Sequence, residues 1–277
     1  MIAATEGRFS TGLPYLKLGD GPPLIQASSL SSQHANPTGL SRRMAVSWAA
    51  PFAEHFTVYL VNRKPGLATG ATMSDIAADY AGAIENDLGE PVMLHGTSAG
   101  GSVALQLAID HPALVRRLVV AASACRLPAD VHRTQAESVR LAQNGEGRRA
   151  MALYMASLAP RPLSIAARGL GWLIGGGFTP DKRSDMLITL GAECSFDAEP
   201  ELSRVRAPAL VLGGTNDRFY TEDLFRFTAA GIPYGRVIIL PGKSHGYVAG
   251  SKATAEIALD FLLDRGEWPG GLFFDHN

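Results

Sequence analysis

The strongest constraint on this 277-residue chain is a serine set between glycines where a buried run turns into a helix. Pro91 to His95 is short and apolar, Gly96-Thr97-Ser98-Ala99-Gly100 follows, and Ser102 to Ile109 reads as a helix rich in Ala and Leu. A turn this sharp forces the serine backbone into a strained conformation and brings strand and helix close together. Glycines two residues to either side remove the Cβ atoms that would clash, and Gly101 adds another close approach. G-x-S-x-G alone is a weak pattern, because Gly242-Lys243-Ser244-His245-Gly246 fits it too. The context selects Ser98. After Ser244 the only histidine beyond adjacent His245 is His276, in a terminal stretch expected to fray, and no acid with its own strand end lies between.

The rest of the chain reads as strands alternating with helices. Leu13 to Leu18 and Pro23 to Ala27 are strands separated by Gly19-Asp20-Gly21, and Thr57 to Val61 is a third. Ser74 to Leu88 carries Ile76, Tyr80, Ala83, Ile84 and Leu88 near the helical period, with Ser74 as its expected cap. Arg117 to Ala122, Ala209 to Leu212 and Arg236 to Leu240 are further strands, and Thr221 to Ala230 and Ser251 to Leu263 further helices. This order predicts an α/β fold with a mostly parallel, doubly wound sheet. The stretch 127–200 is different, with helical spacing in Val131 to Leu141 and Ala150 to Leu158 and no convincing strand. It is expected to be an inserted helical cap, leaving 1–126 and 201–277 as the core. Gly169 to Phe178, rich in glycine around Trp172, reads as a flexible turn against the core in preference to a substrate-gating lid.

A serine hydroxyl needs a base within hydrogen-bond reach and a carboxylate to orient that base. Both partners must lie on loops leaving the carboxyl ends of strands, where open α/β sheets bind ligands. Asp217 follows Ala209 to Leu212 through Gly213-Gly214-Thr215-Asn216, and His245 follows Arg236 to Leu240 through Pro241-Gly242-Lys243-Ser244. Taken singly, an Asp beside Asn and Thr is turn chemistry and a lone His is more often structural. The order Ser98, Asp217, His245 at successive strand ends singles them out. Neighbouring Glu222 and Asp223 are expected to open the following helix, where negative charge is favoured. The developing oxyanion needs two donors, one of which is expected from the N–H of Ala99.

These residues together resemble the α/β-hydrolase family over nearly the whole chain: a nucleophile elbow at Ser98, an acid loop at Gly214-Thr215-Asn216-Asp217 and a histidine loop at Pro241 to His245. The resemblance implies a cap at the position of 127–200. It also implies a second oxyanion donor from the loop after Pro23 to Ala27. Relatives commonly have His-Gly there, this chain has Ser28-Ser29, and the aligned donor is the N–H of Leu30. A hydroxyl of Ser28 or Ser29 is an alternative, as is a simple polar turn.

The expected activity is that of a serine hydrolase acting on a small carboxylic ester-like substrate. Alternatives are C–C bond hydrolysis of a ketone-bearing compound, with Arg133 or Arg140 holding a carboxylate, and a non-catalytic ligand-binding member of the fold. His95 is expected to be structural, His111 ends a helix, His55 and His132 lack partners in spacing, and His34 either lines the pocket or is exposed. No spacing suggests a metal site or a phosphate loop, so no cofactor is expected. With 25 basic against 26 acidic residues and no basic run, nucleic acid is not an expected partner. No run is long enough for a membrane span, and a cytoplasmic protein with a small-molecule substrate is expected. Cys125 and Cys194 are read as buried thiols.

Overall fold

The structure is a computed structural model that describes residues 4–31, 33–159, 161–175, 185–265 and 274–275. Among the described residues nine strands form one sheet: β1 (Thr5–Arg8), β2 (Pro14–Leu18), β3 (Pro23–Ala27), β4 (Thr57–Val61), β5 (Val92–Thr97), β6 (Val115–Ala121), β7 (Ala209–Gly214), β8 (Gly235–Leu240) and β9 (Phe274–Asp275). Their order is β1-β2-β4-β3-β5-β6-β7-β8-β9. The first two pairings, β1 with β2 and β2 with β4, are antiparallel, and the rest are parallel.

Central strands buried on both faces explain the unbroken apolar runs. Alternate residues serve opposite cores. Leu118 and Val120 of β6, with Ala209 and Val211 of β7, join the core under α2 (Met73–Ala83), α3 (Ala99–Asp110) and α8 (Glu222–Gly231). Val119, Ala121, Leu210 and Leu212 join the other, covered by α1 (Gly39–Ala53) and α10 (Lys252–Leu262).

Between β6 and β7 lie α4 (Ala129–Gln143), α5 (Gly147–Leu158), α6 (Ser164–Ile174) and α7 (Asp185–Ser195). Val139, Leu141, Ala142, Ala150, Leu187 and Leu190 give these helices a small core of their own, on which Leu30 packs. α7 also reaches the main core through Ile188 and Ala192. Among the described residues no helix is long and apolar enough to cross a membrane.

Three expectations need correction. Helix α2 is capped by Thr72, whose hydroxyl accepts from the Asp75 N–H while the Asp75 carboxylate accepts from the Thr72 N–H; the Ser74 hydroxyl donates to Asp110 instead. The segment expected as a turn from Gly169 is helical to Ile174, and Trp172, Leu173 and Ile174 are at least half exposed rather than packed on the core. Gly171 makes this possible, since a Cβ there would sit 2.8 Å from Ala152 Cα, so α6 lies directly on α5. Residues 176–178 of that segment lie outside the described residues. Of the two free cysteines, Cys125 is buried and Cys194 only half-buried.

Candidate active site

Ser98 stands between β5 and α3 with φ 53 and ψ −126, a left-handed conformation costly for any residue with a Cβ. Its neighbours make the turn possible. A Cβ on Gly96 would overlap the Gly100 carbonyl, one on Gly100 the Ala27 carbonyl, and one on Gly101 the Ser123 side chain. The Ser98 N–H donates to the Ala121 carbonyl at 2.9 Å, which ties the turn to β6. α3 begins at Ala99, so its first N–H groups have no intrahelical acceptor and the positive end of the helix faces the serine.

The His245 Nε2 lies 3.0 Å from Ser98 Oγ, and its Nδ1 lies 2.9 Å from Asp217 Oδ2. The Asp217 side chain is fully buried and its other oxygen accepts from the N–H groups of Phe219 and Tyr220 at 2.8 and 3.2 Å. The carboxylate is therefore held on both sides. Asp217 and His245 come from loops that are laced together: Asn216 Nδ2 donates to the Gly242 carbonyl, the Asn216 N–H to the Lys243 carbonyl, and the Gly242 N–H to Thr215 Oγ1. Gly214 permits this, since a Cβ there would overlap the Lys243 carbonyl. Phe219 tilts against the imidazole with centroids 4.6 Å apart.

Ser244 has ordinary backbone angles and caps the short helix α9 (His245–Gly250), its hydroxyl accepting from the Tyr247 N–H. Glu222 and Asp223 open α8 as expected, behind the Thr221 cap. His276 lies outside the described residues.

Ser98 and His245 open onto a chamber of about 240 Å³. Ser29 and Leu30 line it from the β3–α1 loop, and Leu127, Gln135, Tyr154 and Glu193 from the stretch between β6 and β7. A wider groove of about 800 Å³ lies outside, over the Asp217 and His245 loops. Arg133 and Arg140 do not reach the chamber: both are exposed, and Arg140 pairs with Glu137 at 2.7 Å. His34 is neither exposed nor a lining residue. It is buried, with Nδ1 3.0 Å from the Lys64 carbonyl and Nε2 accepting from Arg63 Nε.

The sequence reading missed Arg63 and Glu193. Arg63 is completely buried and its fork donates to the carbonyls of Ser28 and Ser29 at 3.0 and 2.8 Å, bracing the loop that carries Leu30. Burial pulls its pKa below the usual arginine value. An arginine two residues after the apolar strand end Tyr59-Leu60-Val61 was the available signal. Glu193 is buried too, and burial raises its pKa. His95 is buried and stacked on Trp48 and Phe52, with neither ring nitrogen hydrogen-bonded among the described residues. No group of His, Cys, Asp and Glu among the described residues could hold a metal ion.

A serine on a left-handed strand-to-helix turn, at the carboxyl edge of a mostly parallel sheet, defines an α/β hydrolase. The family model described as alpha/beta hydrolase family matches residues 34–260, and the chain belongs to that family. A curated relative from Mycobacterium tuberculosis, BpoC, named as a non-heme bromoperoxidase, is 26% identical over 209 residues, covering 70% of this chain and 77% of its own. Among solved structures, the enol-lactonase from Burkholderia xenovorans superposes with a TM-score of 0.73 at 19% identity, covering 94% of this chain and 100% of that one. An esterase from Thermogutta terrifontis does so with a TM-score of 0.67 at 15% identity, covering 95% and 98%. These likenesses are of fold.

Proposed function

We propose that the chain is a serine hydrolase that cleaves a small carboxylic ester-like substrate through an acyl-enzyme. The observation that carries this reading is the continuous contact from Ser98 Oγ through the His245 imidazole to Asp217, at 3.0 and 2.9 Å. His245 Nε2 takes the Ser98 proton as Oγ attacks the carbonyl carbon. Asp217, accepting from Nδ1, keeps the imidazole in the tautomer with Nε2 free and stabilises the imidazolium. The oxyanion is held by the N–H groups of Ala99 and Leu30, helped by the positive end of α3. His245 then returns the proton to the leaving alcohol. Water attacks the acyl-enzyme with His245 again as base, and Ser98 is regenerated.

On this reading residues 127–200 act as a cap on a core formed by 1–126 and 201–277. The chamber lining drawn from 127–200 supports the division. A chamber of about 240 Å³ suits a short acyl group, since sites for drug-sized ligands run from roughly 300 to 1,000 Å³.

The test is a panel of short-chain ester, thioester and lactone substrates assayed with the parent protein and Ser98→Ala. Ser98→Ala is expected to lower kcat on the best substrate by about 10⁴-fold or more with the fold intact. Full retention of activity would overturn the assignment.

A further inference from the structure

Glu193 is the one carboxyl side chain lining the Ser98 chamber among the described residues. It is 6% exposed, and one of its oxygens, Oε1, is faced by two hydroxyls, Ser102 Oγ at 3.3 Å and Tyr220 Oη at 3.5 Å. The other oxygen, Oε2, has no hydrogen-bond partner among the described residues. A buried carboxyl with a free oxygen, on the wall of a chamber that also holds the reacting serine, is a group placed for a ligand.

Its surroundings determine which ligand. Among the described residues the chamber lining contains no lysine or arginine, so a second carboxylate brought in with the substrate would find no counter-charge among them. The charged and titratable groups that act on Glu193 are the Arg63 guanidinium, His245, Tyr154, Tyr220 and Cys194. Three of the five Arg63 N–H donors go to Ser28, Ser29 and His34. Burial outweighs its attraction and raises the pKa of the carboxyl, which shifts the balance toward the protonated form, and that form can donate from one oxygen while the other accepts.

We propose that Glu193 is a specificity residue of the Ser98 chamber, binding a neutral oxygen acceptor, a ketone or hydroxyl, on the acyl chain of the substrate. The inference rests on the serine-hydrolase reading above and names the substrate class: short oxo- or hydroxyacyl esters, preferred over plain alkyl esters and over esters that carry a free carboxylate. No bond is made or broken at Glu193. One hydrogen bond forms from its carboxyl O–H to the substrate oxygen.

The test compares phenyl esters of pentanoic, 4-oxopentanoic and 5-oxohexanoic acids and the phenyl hemiester of succinic acid. Each is assayed with the parent protein, Glu193→Gln and Glu193→Leu. For the parent, kcat/KM should be higher for an oxo ester than for the pentanoate by about fivefold, the worth of one hydrogen bond, and lowest for the hemisuccinate. The oxo/alkyl ratio should survive in Glu193→Gln, whose amide still donates, and collapse to about one in Glu193→Leu. A second readout is the KM for the oxo ester. It should rise with pH in the parent as the carboxyl ionises and can no longer donate, and lack that rise in Glu193→Gln, which has nothing to titrate there. This comparison stands even if Glu193→Leu does not fold.

A parent with no oxo preference, or an unchanged ratio in Glu193→Leu, overturns the proposal while leaving ester hydrolysis in place. A merely structural glutamate would lower Tm and leave the ratio alone. A parent that hydrolyses none of the esters overturns both readings.

Discussion

Two serines in this chain sit in G-x-S-x-G, and their backbones separate them. Ser98 is held at φ 53 by β5 and α3, whereas Ser244 sits in ordinary extended geometry as the cap of α9. A fluorophosphonate probe should therefore label the parent protein and Ser244→Ala but not Ser98→Ala, as read by intact mass. Ser244→Ala should cost about 1 kcal/mol of stability through the lost cap. Arg63 acts at the same scale without touching the proposed reacting atoms. Removing its fork in Arg63→Met takes the donors from the half-buried Ser28 and exposed Ser29 carbonyls, at about 1 kcal/mol for each hydrogen bond lost. Urea denaturation should show that loss. Because the braced loop carries Leu30, kcat should fall by a larger factor than KM rises. Arg63→Lys keeps the charge but not the fork and should recover only part of either.

At the scale of elements, caps and close approaches explain where helices begin and how they pack. Thr72 and Asp75 form a reciprocal box at the start of α2, so Thr72→Ala should destabilise by about 1 kcal/mol. Ser74→Ala, which loses only an exposed bond to Asp110, should cost a few tenths, and paired thermal melts would separate the two. α1 left little trace in the sequence. It has no side-chain bond at its Thr38 cap, carries Pro51 in its last turn and exposes Leu40 and Met44, which blurs its apolar stripe. β1 is a polar edge strand of four residues, with no alternation to read.

For the whole molecule, the folded state is bound to neutral histidines. Burial holds His95 down to about 4, and His34 is lowered as well, by burial first and then by the Arg63 charge. In the unfolded chain both titrate near 6.5. A folded pKa below the unfolded one means the unfolded chain binds more protons on acidification. The stability these groups contribute is thus complete above pH 6.5 and drains as the pH falls toward 4. His95 alone accounts for on the order of 3 kcal/mol across that window. Tm should fall steeply from pH 7 to 4 in the parent protein and less steeply in His95→Leu, measured by calorimetry. An equal slope in both would remove His95 from the account.

The alternation of buried strand and helix was written in the sequence, because a sheet covered on both faces demands continuous apolar runs and crossover helices demand a 3.6-residue period. So was the order Ser98, Asp217, His245, because glycines and turn residues at strand ends are local requirements of the backbone. Local rules could not show that the Ser28-Ser29-Leu30 loop is braced by Arg63, that His34 is buried on that guanidinium, or that Glu193 faces the chamber. Those contacts join residues from about 30 to more than 90 positions apart, and the chain meets them only when the cores close. A single buried charge in a sequence carries no sign of its partner. Only tertiary packing decides whether it supports a loop, balances another charge or meets a substrate.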